Sequence, residues 1–331
     1  LKLASRPDVL AIEPRGARRR LDERQGRTMS GHVGPKGPLA PGYLAWLGTK
    51  GFGAGQFGGF SINVVDDART LQGHPDLPTA RVAFELNPSG QGASNAEHGF
   101  LNAHIIAGFN SGTGAAFEDS GGFNYGLGIA PWARVGATAI FGPGSGSASD
   151  WEDAAYRVDS RISNNSWGYV SASGGPVAKY DASAREFDVL VRDARAGATG
   201  AQELVVVFAA GNDGSGANTV GAPATAKNVI CVGASENLRS TGTDGCGIAN
   251  SGADDVDDII AFSSRGPVNP NGGDGRVQPD LMAPGTHIQA GVPQTNYVGG
   301  GTCDNYWPAG QTLYSWSSGT SHSAPAVAGA A

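Results

Sequence analysis

The chain has no run of roughly 18 or more apolar residues, so no helix long enough to span a bilayer is expected. Positive charge is in short supply: 23 Lys and Arg stand against 30 Asp and Glu, a net charge of −7. Such a surface repels phosphate backbones, which argues against nucleic acid as a partner. There are only three cysteines, Cys231, Cys246 and Cys303, and no Cys-x-x-Cys pair to hold a metal. Cys231 lies in the apolar run 229–232 and reads as a buried strand thiol. Cys246 and Cys303 lie in Gly-rich sequence and fit either one disulfide, suited to an oxidising compartment, or free thiols. No internal repeat and no signal-peptide pattern is visible.

What is present points to a globular α/β chain. Charged residues make up 16% and apolar residues 40%, outside the disordered range. The first 50 residues carry Arg, Pro and Gly without periodicity. Their basic cluster 15–20 reads as a solvated run, with a processing site as the competing reading. From residue 60 the pattern changes. The segments 62–65, 134–141, 161–166, 204–209 and 229–232 read as strands, several of them short apolar runs, and 99–107 reads as a helix. Phe187, Leu190, Val191 and Ala194 recur at i, i+3, i+4 and i+7, an amphipathic helix. Strands separated by helices predict a mostly parallel buried sheet, with the active site at the strands' C-terminal ends. The Gly- and Ser-rich stretch 108–125 and the Asp-rich stretch 241–258 read as insertions.

Three residues carry the chemistry. Ser321, in Gly319-Thr320-Ser321-His322-Ser323-Ala324-Pro325, opens a small-residue helix, whose N-terminal N–H groups favour an oxyanion. Taken alone, it would be read as a helix cap. His98, at a loop-to-helix junction, offers an imidazole able to take and return a proton near neutral pH. Asp66 ends the run Asn63-Val64-Val65-Asp66-Asp67, where a carboxylate can orient that imidazole. The order Asp, His, Ser is that of subtilisin, and no Gly-x-Ser-x-Gly elbow surrounds Ser321, which weakens an α/β-hydrolase reading.

With these residues the chain resembles the subtilase family of serine proteases, over about residues 60–331. The doubled acid Asp66-Asp67 resembles the kexin-like branch, and His74-Pro75-Asp76-Leu77 resembles the segment that follows. Asp66 and His98 lie 32 residues apart, as is usual in the family. Gly128-Ile129-Ala130-Pro131, Phe262-Ser263-Ser264-Arg265-Gly266-Pro267 and Pro279-Asp280-Leu281-Met282-Ala283-Pro284-Gly285 also resemble family segments. The resemblance implies a subtilisin-like three-layer sandwich and a serine endopeptidase that works through an acyl-enzyme. It implies that Asn212, in Ala210-Gly211-Asn212-Asp213-Gly214, donates to the oxyanion. It implies that Ser166, Trp167 and Gly168 pair with the substrate backbone, and that Gly221 lies at the floor of the first specificity pocket, leaving room for a large side chain. For Trp167 the competing reading is a core aromatic.

The remaining expectations are finer. The chemistry needs no cofactor, but the resemblance implies structural calcium at Asp76, although 108–125 departs from the usual ligand loop. The acidic run 254–258 reads as a solvated loop, with an oxygen-ligand site as the alternative. Phe100 and Leu101 replace the family's usual Thr and His, which is expected to alter packing only. His322, where Met is common, is expected on the helix surface. Residues 1–14 read as a propeptide remnant, because 5–14 resembles the end of an inhibitory propeptide; 15–59 reads as an N-terminal extension, and 60–331 as the peptidase domain, truncated at its C-terminus. The implied setting is a secreted zymogen acting on protein or peptide substrates. The rival readings are a catalytically silent binding module and a small-ester hydrolase.

Overall fold

A computed structural model describes residues 22–34, 38–90, 92, 97–268, 274–297 and 305–331. The segment expected as a propeptide remnant and the basic cluster 15–20 lie outside them. In chain order the elements are α1 (Asp22–Met29), α2 (Tyr43–Thr49), β1 (Ser61–Asp66), β2 (Val82–Leu86), α3 (Glu97–Ala107), β3 (Arg134–Ala139), α4 (Ala148–Arg157), β4 (Ser160–Asn165), α5 (Ala182–Arg192) and β5 (Val205–Ala209). They continue with β6 (Ile230–Ser235), β7 (Leu281–Pro284), β8 (Ile288–Gly291), β9 (Asn305–Tyr306), β10 (Tyr314–Ser317) and α6 (Thr320–Ala330).

Seven strands pair in the order β2-β3-β1-β4-β5-β6-β7, every pair parallel. Side-chain alternation in the strands builds a core on each face. Val207 and Ala209 of β5 join the cluster that holds Phe100 and Ile106 of α3 and Ala324 of α6. Val206 and Phe208 join the opposite cluster, with Trp151 of α4 and Phe187 and Leu190 of α5. The result is the expected three-layer α/β sandwich. Cys231 of β6 is free and fully buried, as its apolar run predicts, whereas Cys246 is disulfide-bonded. Its expected partner, Cys303, lies outside the described residues.

Helix ends are set by local chemistry. Asp181 caps α5 through the N–H groups of Ser183 and Ala184, and Ser147 and Asp150 form a capping box on α4. Helix α1 is tied into the domain by Gln25, whose Nε2 donates to the carbonyls of Pro284 (3.1 Å) and His322 (3.2 Å). A short antiparallel sheet, β8-β10-β9, lies beside the main one. Among the described residues no helix is long and apolar enough to cross a membrane.

Candidate active site

Adjacent strands β1, β4 and β5 end together, and each is followed by a residue or segment expected to act. Asp66 is the last residue of β1, Ser166 follows β4, and Asn212 lies three residues beyond β5. Parallel pairing brings these C-terminal ends to one edge of the sheet. The N-termini of α3 and α6 meet them there with His98 and Ser321.

His98 Nδ1 lies 2.9 and 3.0 Å from the two carboxylate oxygens of buried Asp66. Gly99 is required by close approach: a Cβ there would fall 2.8 Å from the Asp66 Cβ. Asp67 is turned to α3 and accepts the Gly99 N–H at 2.7 Å. Burial and then the Asp66 charge push the Asp67 carboxyl up to about 6. Burial disfavours the His98 imidazolium, but the carboxylates of Asp66, Asp67 and Glu97 outweigh it and hold the pKa above the ordinary histidine value.

Ser321 occupies the first turn of α6 and its Oγ donates to the Ser166 carbonyl at 3.2 Å. Gly211, at φ +107°, makes the left-handed turn that presents Asn212. The Asn212 amide is oriented by its oxygen, which accepts the Thr320 N–H and Oγ1–H, each at 2.9 Å. Its NH2 end is thereby left facing the cleft. That cleft, about 280 Å³, is lined by Ser166, Trp167, Gly168, Asn212, Gly221 and Ser321 together. Trp167 fits both readings: it lines the cleft and packs its ring on Phe208, 5.4 Å between centroids.

Two residues that sequence reasoning missed reinforce Asp66. Asn102, fully buried on α3, donates from Nδ2 to Asp66 Oδ2 at 3.1 Å. His322 corrects an expectation. It is not on the helix surface but 1% exposed, because its side of α6 packs against α3. Its Nδ1 lies 3.0 Å from Asn102 Oδ1, and burial, followed by the His98 charge, holds its pKa well below the ordinary value. Neutral His322 thus donates to Asn102, which fixes the amide so that its NH2 faces Asp66. The position of Asn102, four residues after His98, was the available signal, since i and i+4 share a helix face. Asp213, also missed, is a carboxylate in the cleft lining.

Asp76 lies apart from this cleft, and its donors do not fit calcium, which takes six to eight oxygens. Its carboxylate faces the imidazoles of His74 and His104 and the hydroxyl of Tyr314. The nearby carbonyls of Asp76, Ala107 and Pro131 accept from the Arg81 guanidinium instead. In the loop 108–125, Asn110 Nδ2 takes the carbonyls of Phe117 and Tyr125. Among the described residues, the carboxylates of 254–258 do not gather into a ligand set either.

The subtilase family model matches residues 59–331. The chain is 28% identical over 282 residues to serine protease AprX of Bacillus subtilis (strain 168), with 82% of this chain and 56% of AprX covered. It therefore spans a little over half the length of that relative. Among solved structures it is similar to prenylagaramide maturation protease PagA (TM-score 0.48, 20% identity, 81% of this chain and 72% of that one). It is also similar to Sphericase (TM-score 0.46, 21% identity, 83% and 76%). With a family match that takes in β1 through α6 and every strand of both sheets, this chain belongs to the subtilase family.

Proposed function

We propose that this chain is a serine endopeptidase in which Ser321 is the nucleophile, His98 the general base and acid, and Asp66 the group that orients His98. The observation that carries the reading is the Asn212 amide, held by Thr320 with its donors turned to the cleft beside Ser321. A fixed donor there has little use except to meet charge that develops during reaction.

With Nδ1–H given to Asp66, His98 Nε2 carries the lone pair. On substrate binding the Ser321 hydroxyl exchanges the Ser166 carbonyl for this nitrogen and loses its proton to it. Oγ adds to the scissile carbonyl carbon, and the π pair moves onto oxygen. The oxyanion takes hydrogen bonds from Asn212 Nδ2 and from the Ser321 N–H. Collapse breaks the C–N bond, and His98 returns the proton to the leaving amine. Water, deprotonated by the same nitrogen, then releases the acid and frees Ser321. These steps use the protein's own side-chain and backbone groups and water.

An extended peptide along the backbone of Ser166, Trp167 and Gly168 is the substrate we favour, as an added strand. Gly221 suits a large uncharged residue at the cleaved position. A library profile dominated by Lys or Arg would instead assign that choice to Asp213. Secretion and synthesis as a zymogen held by segment 5–14 belong to the same proposal. A fluorophosphonate probe on the propeptide-free protein is expected to label Ser321 and to leave Ser321→Ala unlabelled. A folded protein that takes no label is the silent binding module instead.

A further inference from the structure

We propose that His74, Asp76 and His104 form a buried site for a first-row transition metal ion, zinc by the chemistry of its donors. His74 and Asp76 lie in the loop between β1 and β2, and His104 lies in the last turn of α3. The His104 Nε2 is 3.6 Å and the His74 Nδ1 is 4.0 Å from Asp76 Oδ2, and one donor atom from each residue falls within 4.8 Å of the others. Bonds of 2.0–2.1 Å to a tetrahedral zinc set donor atoms about 3.4 Å apart. The His104–Asp76 distance is already near that value, and the other separations must shorten as the side chains close on the ion. Two imidazoles and one carboxylate match zinc and its neighbours and not calcium.

The independent sign of a missing ligand is His104 itself. Its side chain is fully buried, yet among the described residues neither ring nitrogen has a partner within hydrogen-bond distance, Asp76 Oδ2 standing off at 3.6 Å from Nε2. A buried polar group left so is costly, and a metal ion would complete it. The ring cannot turn away to find another partner. A Cβ added at Gly108, Gly126 or Gly291 would fall within 2.3–2.7 Å of it, so three glycines wall it in. The surroundings also match those of a ligating imidazole. His74 Nε2–H donates to the Leu313 carbonyl at 2.9 Å, which leaves Nδ1 as the lone-pair nitrogen on the Asp76 side. That nitrogen now accepts the Asp76 N–H at 3.1 Å, a contact the ion replaces. Tyr314 Oη donates to Asp76 Oδ2 at 2.6 Å and holds the carboxylate in place.

The site joins the loop after β1, the end of α3 and β10, at the far end of α3 from His98. It therefore acts on stability and does not depend on the proposed chemistry. The competing occupant is a proton, which would make His104 and Asp76 a plain ion pair. The test uses the full chain as Ser321→Ala, to prevent self-cleavage, without a histidine tag. Expected are zinc in a one-to-one ratio by elemental analysis after dialysis, a lower melting temperature after chelation, and recovery with zinc but not calcium. Cobalt(II) should give visible ligand-field bands that disappear in His104→Gln and Asp76→Asn. Should those variants not fold, the cobalt spectrum and metal content of the parent chain decide alone. A parent chain that binds neither zinc nor cobalt, or is stabilised by calcium only, overturns the proposal.

Discussion

Ser166 and Ser321 are hydrogen-bonded to each other twice. Ser166 Oγ donates to the Ser321 carbonyl at 2.8 Å, and Ser321 Oγ donates to the Ser166 carbonyl at 3.2 Å. The first bond has a cause in the sequence. Pro325 stands four residues after Ser321 inside α6 and has no N–H to close the helical bond. The carbonyl so released is taken by a side chain from the end of β4, which fastens the turn that carries Ser321 to the sheet.

This relationship makes Ser166→Ala a stability test. It leaves the half-buried Ser321 carbonyl without this donor, at a cost of about 1 kcal/mol. In a Pro325→Ala background the new backbone N–H at 325 can serve that carbonyl, so the same substitution should cost clearly less. Urea unfolding of the two singles and the double, all in Ser321→Ala, measures the difference. Strict additivity would mean that the two sites are not coupled.

Asn212→Ala removes the donor that we assign to the oxyanion while leaving Ser321 and His98 in place. The expected loss is about 10²–10³ in kcat, with KM little changed. Fluorophosphonate labelling should slow as well. A variant that keeps its kcat removes Asn212 from the mechanism.

The strand at 62–65 was legible as an apolar run of strand length, buried on both faces, and the helix around Phe187 and Leu190 because burial on one face imposes a period of 3.6 on apolar residues. Asp66, His98 and Ser321 were legible because their order and their flanking residues recur as a pattern. The pair Asn102 and His322 was not. Each looks unremarkable in its own segment, and their meaning comes from a contact across 220 positions of chain. His104 was hidden in the same way, since His74 and Asp76 approach it only after the loop folds back on α3. For calcium, the pattern at Asp76 suggested a ligand, but what surrounds that carboxylate comes from elsewhere in the chain: His104 of α3, Tyr314 of β10, and Arg81, which takes the nearby carbonyls.

The two Asp66 supports can be tested through pH. Asn102→Ala removes one donor from Asp66, so more of its charge acts on His98 and the imidazolium gains stability. The acid limb of kcat/KM should move to higher pH, with kcat reduced at the plateau. His322→Ala should produce part of the same shift, because Asn102 then loses its orienting partner. A lower melting temperature with an unmoved limb would show that the pair serves packing only.

Asp67 predicts a shift of opposite sign. Its carboxyl titrates near 6, so it is already charged over the range in which His98, held above the usual histidine value, loses its proton. Asp67→Asn keeps an oxygen for the Gly99 N–H but removes an anion that favours the imidazolium. The acid limb should fall by up to about 1 pH unit. The measurement is kcat/KM across the limb for parent and variant, and an upward shift contradicts the assignment.

Glu152 makes stability itself depend on pH, away from the active site. It is fully buried on α4 and accepts from Ser163 Oγ at 2.5 Å and Asn63 Nδ2 at 3.4 Å, with no cation beside it among the described residues. Burial pushes its pKa up to about 7 from an ordinary 4.5. Because the folded value is the higher one, the native state keeps a proton that the unfolded chain has released between these two pH values. The associated stability is fully present below about pH 4.5 and is lost as pH rises through 7, roughly 3 kcal/mol in all. Glu152→Gln carries no charge and should lack this loss. In urea unfolding of Ser321→Ala proteins, the variant should gain on the parent steadily from pH 4.5 to 8. Parallel curves would mean that the carboxylate is ionised in the fold and is stabilised by groups other than Ser163 and Asn63.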